Sequence, residues 1–236
     1  MKVLVIPDVH LKPYIFDMAE ELMNKHNITE AVFVGDLVDN WFQANNIELY
    51  RETIARAIKF KKDHPTAKFC WGNHEVGYIT GISCSGNSEL HYIEIRELLK
   101  NYEKEADVHI AYCIDKVLFS HAGFTIDYKE EAKKLQENKV YDDHLYDFMK
   151  DSWDSPLWAR PDEWVKFYNA PQVIGHSPVK KICEIKPKVW DVDVFSTYFS
   201  GDKYGKEAFL VIDTKTLETE IFEVWYGTAR KIKRKA

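Results

Sequence analysis

Cysteine is scarce and badly spaced for cross-linking: Cys70, Cys84, Cys113 and Cys183 are the only four in 236 residues, and no two form a C-x-x-C pair. That argues against a thiolate-built zinc knuckle and against a secreted disulfide framework, leaving four buried or free thiols. Long apolar runs are missing too. No stretch approaches the roughly 18 apolar residues of a membrane span, and the apolar start, Met1 to Pro7, is too short for a secretory core and runs straight into charged sequence. A reducing, cytoplasmic setting without membrane contact is the expectation. Excess positive charge is also lacking, since the formal net charge is -6 and the one basic run is the tail Arg230, Lys231, Lys233, Arg234 and Lys235. That run reads as a solvated, frayed terminus, so a nucleic-acid surface is not expected. With 45% hydrophobic residues and no internal repeat, low-complexity tract or linker, residues 1–236 are expected to bury one core as a single domain.

What is present is an alternation. Short β-rich apolar runs recur at Val3 to Ile6, Ala31 to Val34, Lys68 to Trp71, Val117 to Ser120 and Gln172 to Ile174. Between them lie longer patterns of helical period. The first opens at Pro13 and puts Phe16, Ala19, Leu22 and Met23 on one face. A second, Ile47 to His64, carries Leu49, Ile54, Ala57, Ile58 and Phe60, and a third is expected near Ser88 to Tyr102 after a Gly- and Ser-rich loop. Alternation of this kind predicts a layered α/β fold. After Pro178 the texture turns strand-like, at Lys180 to Ile185, Val189 to Phe195, Ala208 to Asp213 and Thr219 to Trp225, which predicts an antiparallel or mixed second sheet.

Each of the five early apolar runs is followed directly by side chains that ligate metals: Asp8 and His10, then Asp36 and Asp39, then Asn73 and His74, then His121, then His176. In open α/β sheets, loops at the carboxyl ends of strands converge on one crevice, so residues distant in sequence can meet there. Imidazole, carboxylate and amide oxygen without thiolate suit Mn, Fe or Zn at a catalytic site better than a structural zinc. That many candidate ligands exceed what one open catalytic ion uses, so two ions sharing a carboxylate explain the number better, with Asp36 the candidate bridge. Taken singly, each aspartate could be a helix N-cap or turn former, and each histidine a hydrogen-bonded core residue. Their joint placement is what departs from packing, and His26, His64, His91 and His109 lack any such context.

The strings D-V-H (Asp8 to His10), G-D-L-V-D-N (Gly35 to Asn40), G-N-H-E (Gly72 to Glu75), S-H-A-G (Ser120 to Gly123) and G-H-S-P (Gly175 to Pro178) follow one another in order. Together they resemble the calcineurin-like metallophosphoesterases over roughly residues 3 to 178. The resemblance implies a four-layer α/β/β/α sandwich with two central mixed sheets. It also implies a dinuclear-metal phosphoesterase that directs a metal-bridging hydroxide onto phosphorus. It assigns Asp8 and His10 to a first metal, Asp36 to both, and Asn73, His121 and His176 to a second, with two divalent ions as cofactors: manganese first, then iron, zinc or nickel. His74 matches a general acid for the leaving oxygen and Asp39 its carboxylate partner, while Arg160, in S-P-L-W-A-R (Ser155 to Arg160), matches an arginine that holds phosphate through its planar fork.

Three departures bear on the substrate. Position 40 is Asn where the protein phosphatases carry a second phosphate-binding arginine, and position 11 is Leu where D-x-H-G is common. Pro178 stands where many phosphodiesterase members place a further histidine. This favours the branch of the serine/threonine protein phosphatases and dinucleoside tetraphosphatases, and a phosphomonoester as substrate. The alternatives are a symmetrical dinucleoside-tetraphosphatase or a phosphodiesterase, and, in another class, a non-catalytic binding module on the same fold. The alternative for Arg160 is a cation stacked on Trp158, and the neighbouring aromatics read as packing. The acidic stretch Asp142 to Asp154 reads as a solvated helix face.

Overall fold

The structure is a computed structural model that describes every residue except 144, 151, 152, 226, 227 and 233–236. From the N-terminus, β1 (Lys2–Ile6) leads into α1 (Tyr14–His26), then β2 (Glu30–Phe33), α2 (Ile47–Asp63), β3 (Lys68–Cys70), α3 (Asn73–Thr80) and α4 (Tyr92–Ala106). The middle of the chain holds β4 (Val108–His109), β5 (Ala111–Ile114), β6 (Val117–Ser120), α5 (Lys129–Asn138), β7 (Val140–Tyr141), α6 (Leu145–Lys150) and β8 (Gln172–Ile174). The last part adds β9 (Cys183–Lys186), β10 (Val189–Asp191), β11 (Ala208–Asp213), β12 (Thr219–Trp225) and β13 (Thr228–Ile232).

Two mixed sheets result, a seven-stranded one in the order β13-β12-β11-β1-β2-β3-β4 and a six-stranded one in the order β7-β5-β6-β8-β10-β9. Strands β1 to β4 are parallel, as crossover helices demand, and β6, β8 and β10 are likewise parallel to one another. The sheets are sandwiched by helices, which is the four-layer architecture expected from the sequence. Helix α1 lies against β1, and its Phe16 meets Phe33, Phe60 and Phe69 at centroid distances of 5.7, 5.5 and 6.2 Å. That aromatic cluster joins α1, α2 and the first sheet, and the period-3.6 spacing of Ile15, Phe16, Ala19 and Leu22 is what delivers it. Pro13 starts α1 with φ -57°, and Asn27 ends it in the left-handed region with φ 53°, its N–H donating to the Met23 carbonyl. Asn46 caps α2 by accepting from the Leu49 N–H.

Three expectations need correction. The strand-rich tail does not form a sheet of its own: β9 and β10 extend the sheet that contains β8, whereas β11 to β13 pair antiparallel beyond β1. The reason is that β1 would otherwise be a bare edge beside β2, and Leu4 opposite Val211 buries it. The helix expected from Ser88 begins only at Tyr92, and a separate helix α3 precedes the Gly- and Ser-rich loop. Finally, Arg230 and Lys231 of the basic tail lie on β13 rather than in a frayed end, while Lys233, Arg234 and Lys235 fall outside the described residues.

Candidate metal centre

Asp8 and His10 follow β1, Asp36 and Asp39 follow β2, Asn73 and His74 open α3 just after β3, His121 follows β6, and His176 follows β8. Both sheets thus present the carboxyl ends of their parallel strands to one pocket of about 150 Å³, lined by His10, Asp36, Asp39, Asn73, His74 and His176 among others. The backbone is left-handed at four of these residues, with φ 44° at His10, 57° at Asp36, 61° at Asp39 and 67° at His176. Such conformations cost about 1 kcal/mol or more each for residues with a Cβ and gather where a site must be held in place.

Among the described residues, two groups of side chains converge closely enough to hold a cation: His10, Asp36 and His74, and Asp36, His121 and His176. Asp36 belongs to both. Its Oδ2 lies 3.6 Å from His10 Nε2 and 3.9 Å from His74 Nε2, and its Oδ1 lies 3.4 Å from His121 Nε2. Asp8 is in neither group. Its Oδ1 accepts the His176 backbone N–H at 2.9 Å and lies 3.8 Å from His121 Nδ1, and its Oδ2 is buried with no hydrogen-bond partner among the described residues.

Hydrogen bonding fixes which atom each ring offers. His10 Nδ1 donates to the Val38 and Asp39 carbonyls, and His121 Nδ1 donates to the Val34 carbonyl at 3.0 Å, so Nε2 of each is the lone-pair atom turned inward. The Asn73 amide is oriented by Cys84, whose sulfur accepts from Nδ2 at 3.6 Å and thereby points Oδ1 at the histidines. His121 Nε2 consequently faces Asn73 Oδ1 at 2.8 Å, and His176 Nδ1 lies 3.1 Å from the former and 3.0 Å from the latter. Three acceptors, His121 Nε2, Asn73 Oδ1 and Asp36 Oδ1, meet with at most one proton between them. Acceptors so placed repel unless a cation stands among them, and separations near 3 Å match the edges of a coordination shell with bonds of roughly 2.1 Å.

Electrostatics points the same way. Burial pushes the Asp36 carboxyl up to about 8, and burial together with the Asp193 and Asp36 charges holds Asp8 well above the usual carboxylate range. Burial lowers His121 to about 3 and drives His10 and His176 well below the usual imidazole value. Neutral imidazoles and buried acids, nitrogen and oxygen donors only, fit divalent cations, which would offset charge that the chain leaves uncompensated.

His74 is different. Burial works against its charged form, but the Asp36 charge and the Asp39 hydrogen bond and charge outweigh it and raise the imidazole to about 9. Its Nδ1 donates to Asp39 Oδ2 at 2.8 Å, and the other Asp39 oxygen accepts from both Tyr50 and Tyr78 hydroxyls at 2.7 Å. Arg160 reaches the pocket rim and donates to the His176 carbonyl at 3.4 Å, while Trp158 stands edge-on to His176 at 5.7 Å. Asn40 also lines the pocket, but its Nδ2 is engaged with the His10 carbonyl at 2.8 Å. It braces the loop after β1 rather than replacing a guanidinium.

Sequence reasoning missed two contributors. Glu75, fully buried, accepts four backbone N–H groups: Gly72 and Asp36 on one oxygen, Leu37 and Val38 on the other, at 2.7 to 3.0 Å. Its place in G-N-H-E was the available signal. A Cβ on Gly72 would overlap the Asp36 backbone, so glycine is what permits this approach. Glu75→Gln turns an NH2 toward those donors and is expected to destabilise the fold by about 3 kcal/mol, read as a lowered denaturant midpoint at unchanged slope. Asp193 is the other, a buried carboxylate at the pocket whose oxygens accept from the Ser196 N–H and hydroxyl. It lies two residues beyond β10, in a stretch that alternates as a strand would, and nothing local in the sequence set it apart.

The family model described as calcineurin-like phosphoesterase matches residues 1–209. No curated protein matches the chain significantly. Among solved structures, the cold-active protein-tyrosine phosphatase of the psychrophile Shewanella sp. is similar at 20% identity and TM-score 0.57, over 98% of this chain and 80% of that one. A protein serine/threonine phosphatase from Saccharomyces cerevisiae with similarity to human phosphatase PP5 is similar at 16% identity and TM-score 0.58, over 95% and 80%. At such identities the likeness shows the fold, and the match to the family model, spanning most of the sequence, shows the rest: the chain belongs to the calcineurin-like phosphoesterases.

Proposed function

We propose that the chain is a metal-dependent phosphatase that cleaves a phosphomonoester. The carrying observation is the convergence of His121 Nε2, Asn73 Oδ1 and Asp36 Oδ1 on one point, while the second Asp36 oxygen faces His10. Asp36, Asn73, His121 and His176 would hold one divalent cation, and Asp36 with His10 and Asp8 a second, manganese being the first candidate. Such ions supply positive charge against the phosphoryl oxygens and activate water as the nucleophile.

The chain's own residues do the remainder. His74, kept protonated by its hydrogen bond to the Asp39 carboxylate, gives its Nε2 proton to the leaving oxygen. Arg160 at the rim receives the phosphate's outer oxygens. Pro178, also lining the pocket, offers no donor where a further histidine would favour a diester. The test compares p-nitrophenyl phosphate, its bis ester, a phosphopeptide and a dinucleoside tetraphosphate, before and after chelation and with manganese restored. Manganese-dependent turnover of the monoesters is expected; activity untouched by chelation, or confined to the bis ester, would refute the reading.

A further inference from the structure

The pocket mouth carries an aromatic assembly that the proposed chemistry does not use. Trp41, immediately beyond Asn40, lines the same pocket as Asp39 and His74. Its ring meets Phe199 edge-on at 5.4 Å, and Phe199 meets Phe42 at 5.5 Å. Phe42 and Phe199 are 69% and 71% exposed, so this is not buried packing.

The three rings come from two loops on different sheets. One follows β2; the other is a tight turn after β10, closed by the Thr197 and Lys203 bridge and by the Tyr198 N–H donating to the Asp202 carbonyl, with Phe199 at its tip. Phe42 is held with φ 67°, a left-handed conformation costly for a bulky side chain, and lies over Gly201. The pocket's lining is otherwise largely polar, with Asn40, Ser85, Ser196 and Thr197 among it, the other apolar side chains being Trp158 and Pro178. A flat ring entering at the mouth could lie along the Trp41 face.

We propose that Trp41, backed by Phe199 and Phe42, forms a wall that selects phosphate esters whose leaving group carries a planar aromatic ring. This rests on the phosphatase reading, because it places the leaving group on the His74 side of the pocket. The ring can be esterified directly, as in phosphotyrosine, or joined through a sugar, as in a nucleoside 5′-monophosphate.

Benzyl phosphate and cyclohexylmethyl phosphate separate ring recognition from reactivity, since both release primary alcohols of similar size. With manganese, wild-type kcat/KM is expected to favour the benzyl ester roughly three- to tenfold, the scale of an aromatic contact. Trp41→Leu and Phe199→Leu, which retain bulk, should bring the ratio near one. A ratio near one in the wild-type protein, or one unchanged in both variants, would overturn the wall. Calorimetric binding of phenylphosphonate against cyclohexylphosphonate repeats the test without turnover. If no ester were hydrolysed, the phosphatase reading would fail, yet ring-selective binding lost in Trp41→Leu would uphold the wall and equal binding would overturn it. Phosphotyrosine amide against adenosine 5′-monophosphate then identifies which source of the ring is preferred.

Discussion

Asp36→Asn is expected to lower kcat on phosphate esters by at least about a thousandfold, the scale on which charge stabilisation at a reacting centre is lost. Asparagine is the right probe because it is isosteric and tolerates the left-handed backbone of Asp36, φ 57°, better than other residues. The fold should therefore survive, and a melting curve close to wild type would separate loss of charge from loss of structure. Metal affinity should fall as well, because Asp36 is the one residue common to both ligand groups.

A thermodynamic signature accompanies this. Burial raises the Asp36 carboxyl to about 8, so near pH 7 the chelated chain keeps a proton there that cation binding must expel. Titrating manganese into chelated wild-type protein, in two buffers of different ionisation enthalpy, should reveal release of on the order of one proton per chain, and less in Asp36→Asn. The sign for stability follows. A carboxyl raised on folding stabilises the chelated protein fully below its ordinary value of 3.8, and that contribution disappears as pH rises through about 8. Added manganese should restore stability most at the alkaline end. Wild-type activity that Asp36→Asn left intact would remove the carboxylate from the centre.

His74→Asn has the second-largest expected effect, and its size depends on the substrate. For an alkyl phosphate, whose alkoxide cannot leave unprotonated, loss of a positioned acid costs roughly a hundred- to ten-thousandfold. For p-nitrophenyl phosphate, whose leaving group needs no proton, the loss should be far smaller. With the His74 imidazole raised to about 9, an alkaline limb of kcat/KM is expected there in the wild-type protein and should vanish in the variant. Asp39→Asn should give a milder version, since Tyr50 and Tyr78 still meet the remaining side-chain oxygen while the imidazolium loses its charged partner. Equal losses on both esters would assign His74 to metal holding instead, a role its 3.9 Å approach to Asp36 makes a real competitor.

That the site residues would gather at one pocket was legible because the signal is local: a carboxylate or imidazole directly after an apolar run marks the carboxyl end of a strand. The parallel strands β1, β2, β3, β6 and β8 read the same way. What was not legible depends on partners far along the chain. That β11 pairs with β1 rather than with β10 is fixed by which edge remains uncovered, which no window of sequence contains. The helix α3 was hidden because it is short and opens on the G-N-H-E string, whose polar residues interrupt any apolar period. The part of Asn40 was missed for a third reason. Its amide could serve a substrate or the backbone, and only the His10 carbonyl, thirty residues away, decides.

Glu75 ties the segment carrying Asp36 to the first turn of α3, which itself supplies Asn73 and His74. Asp36, Asn73 and His74 therefore sit on one rigid casting, and a shift of that helix would carry all three together without altering their spacing. Of the loops on either side, 81–91 supports this casting through Cys84 at Asn73, and 40–46 braces it through Asn40 at the His10 carbonyl. The positions just beyond Asn40, Trp41 and Phe42, are where new substrate preferences can be tried with least disturbance to the chemistry underneath.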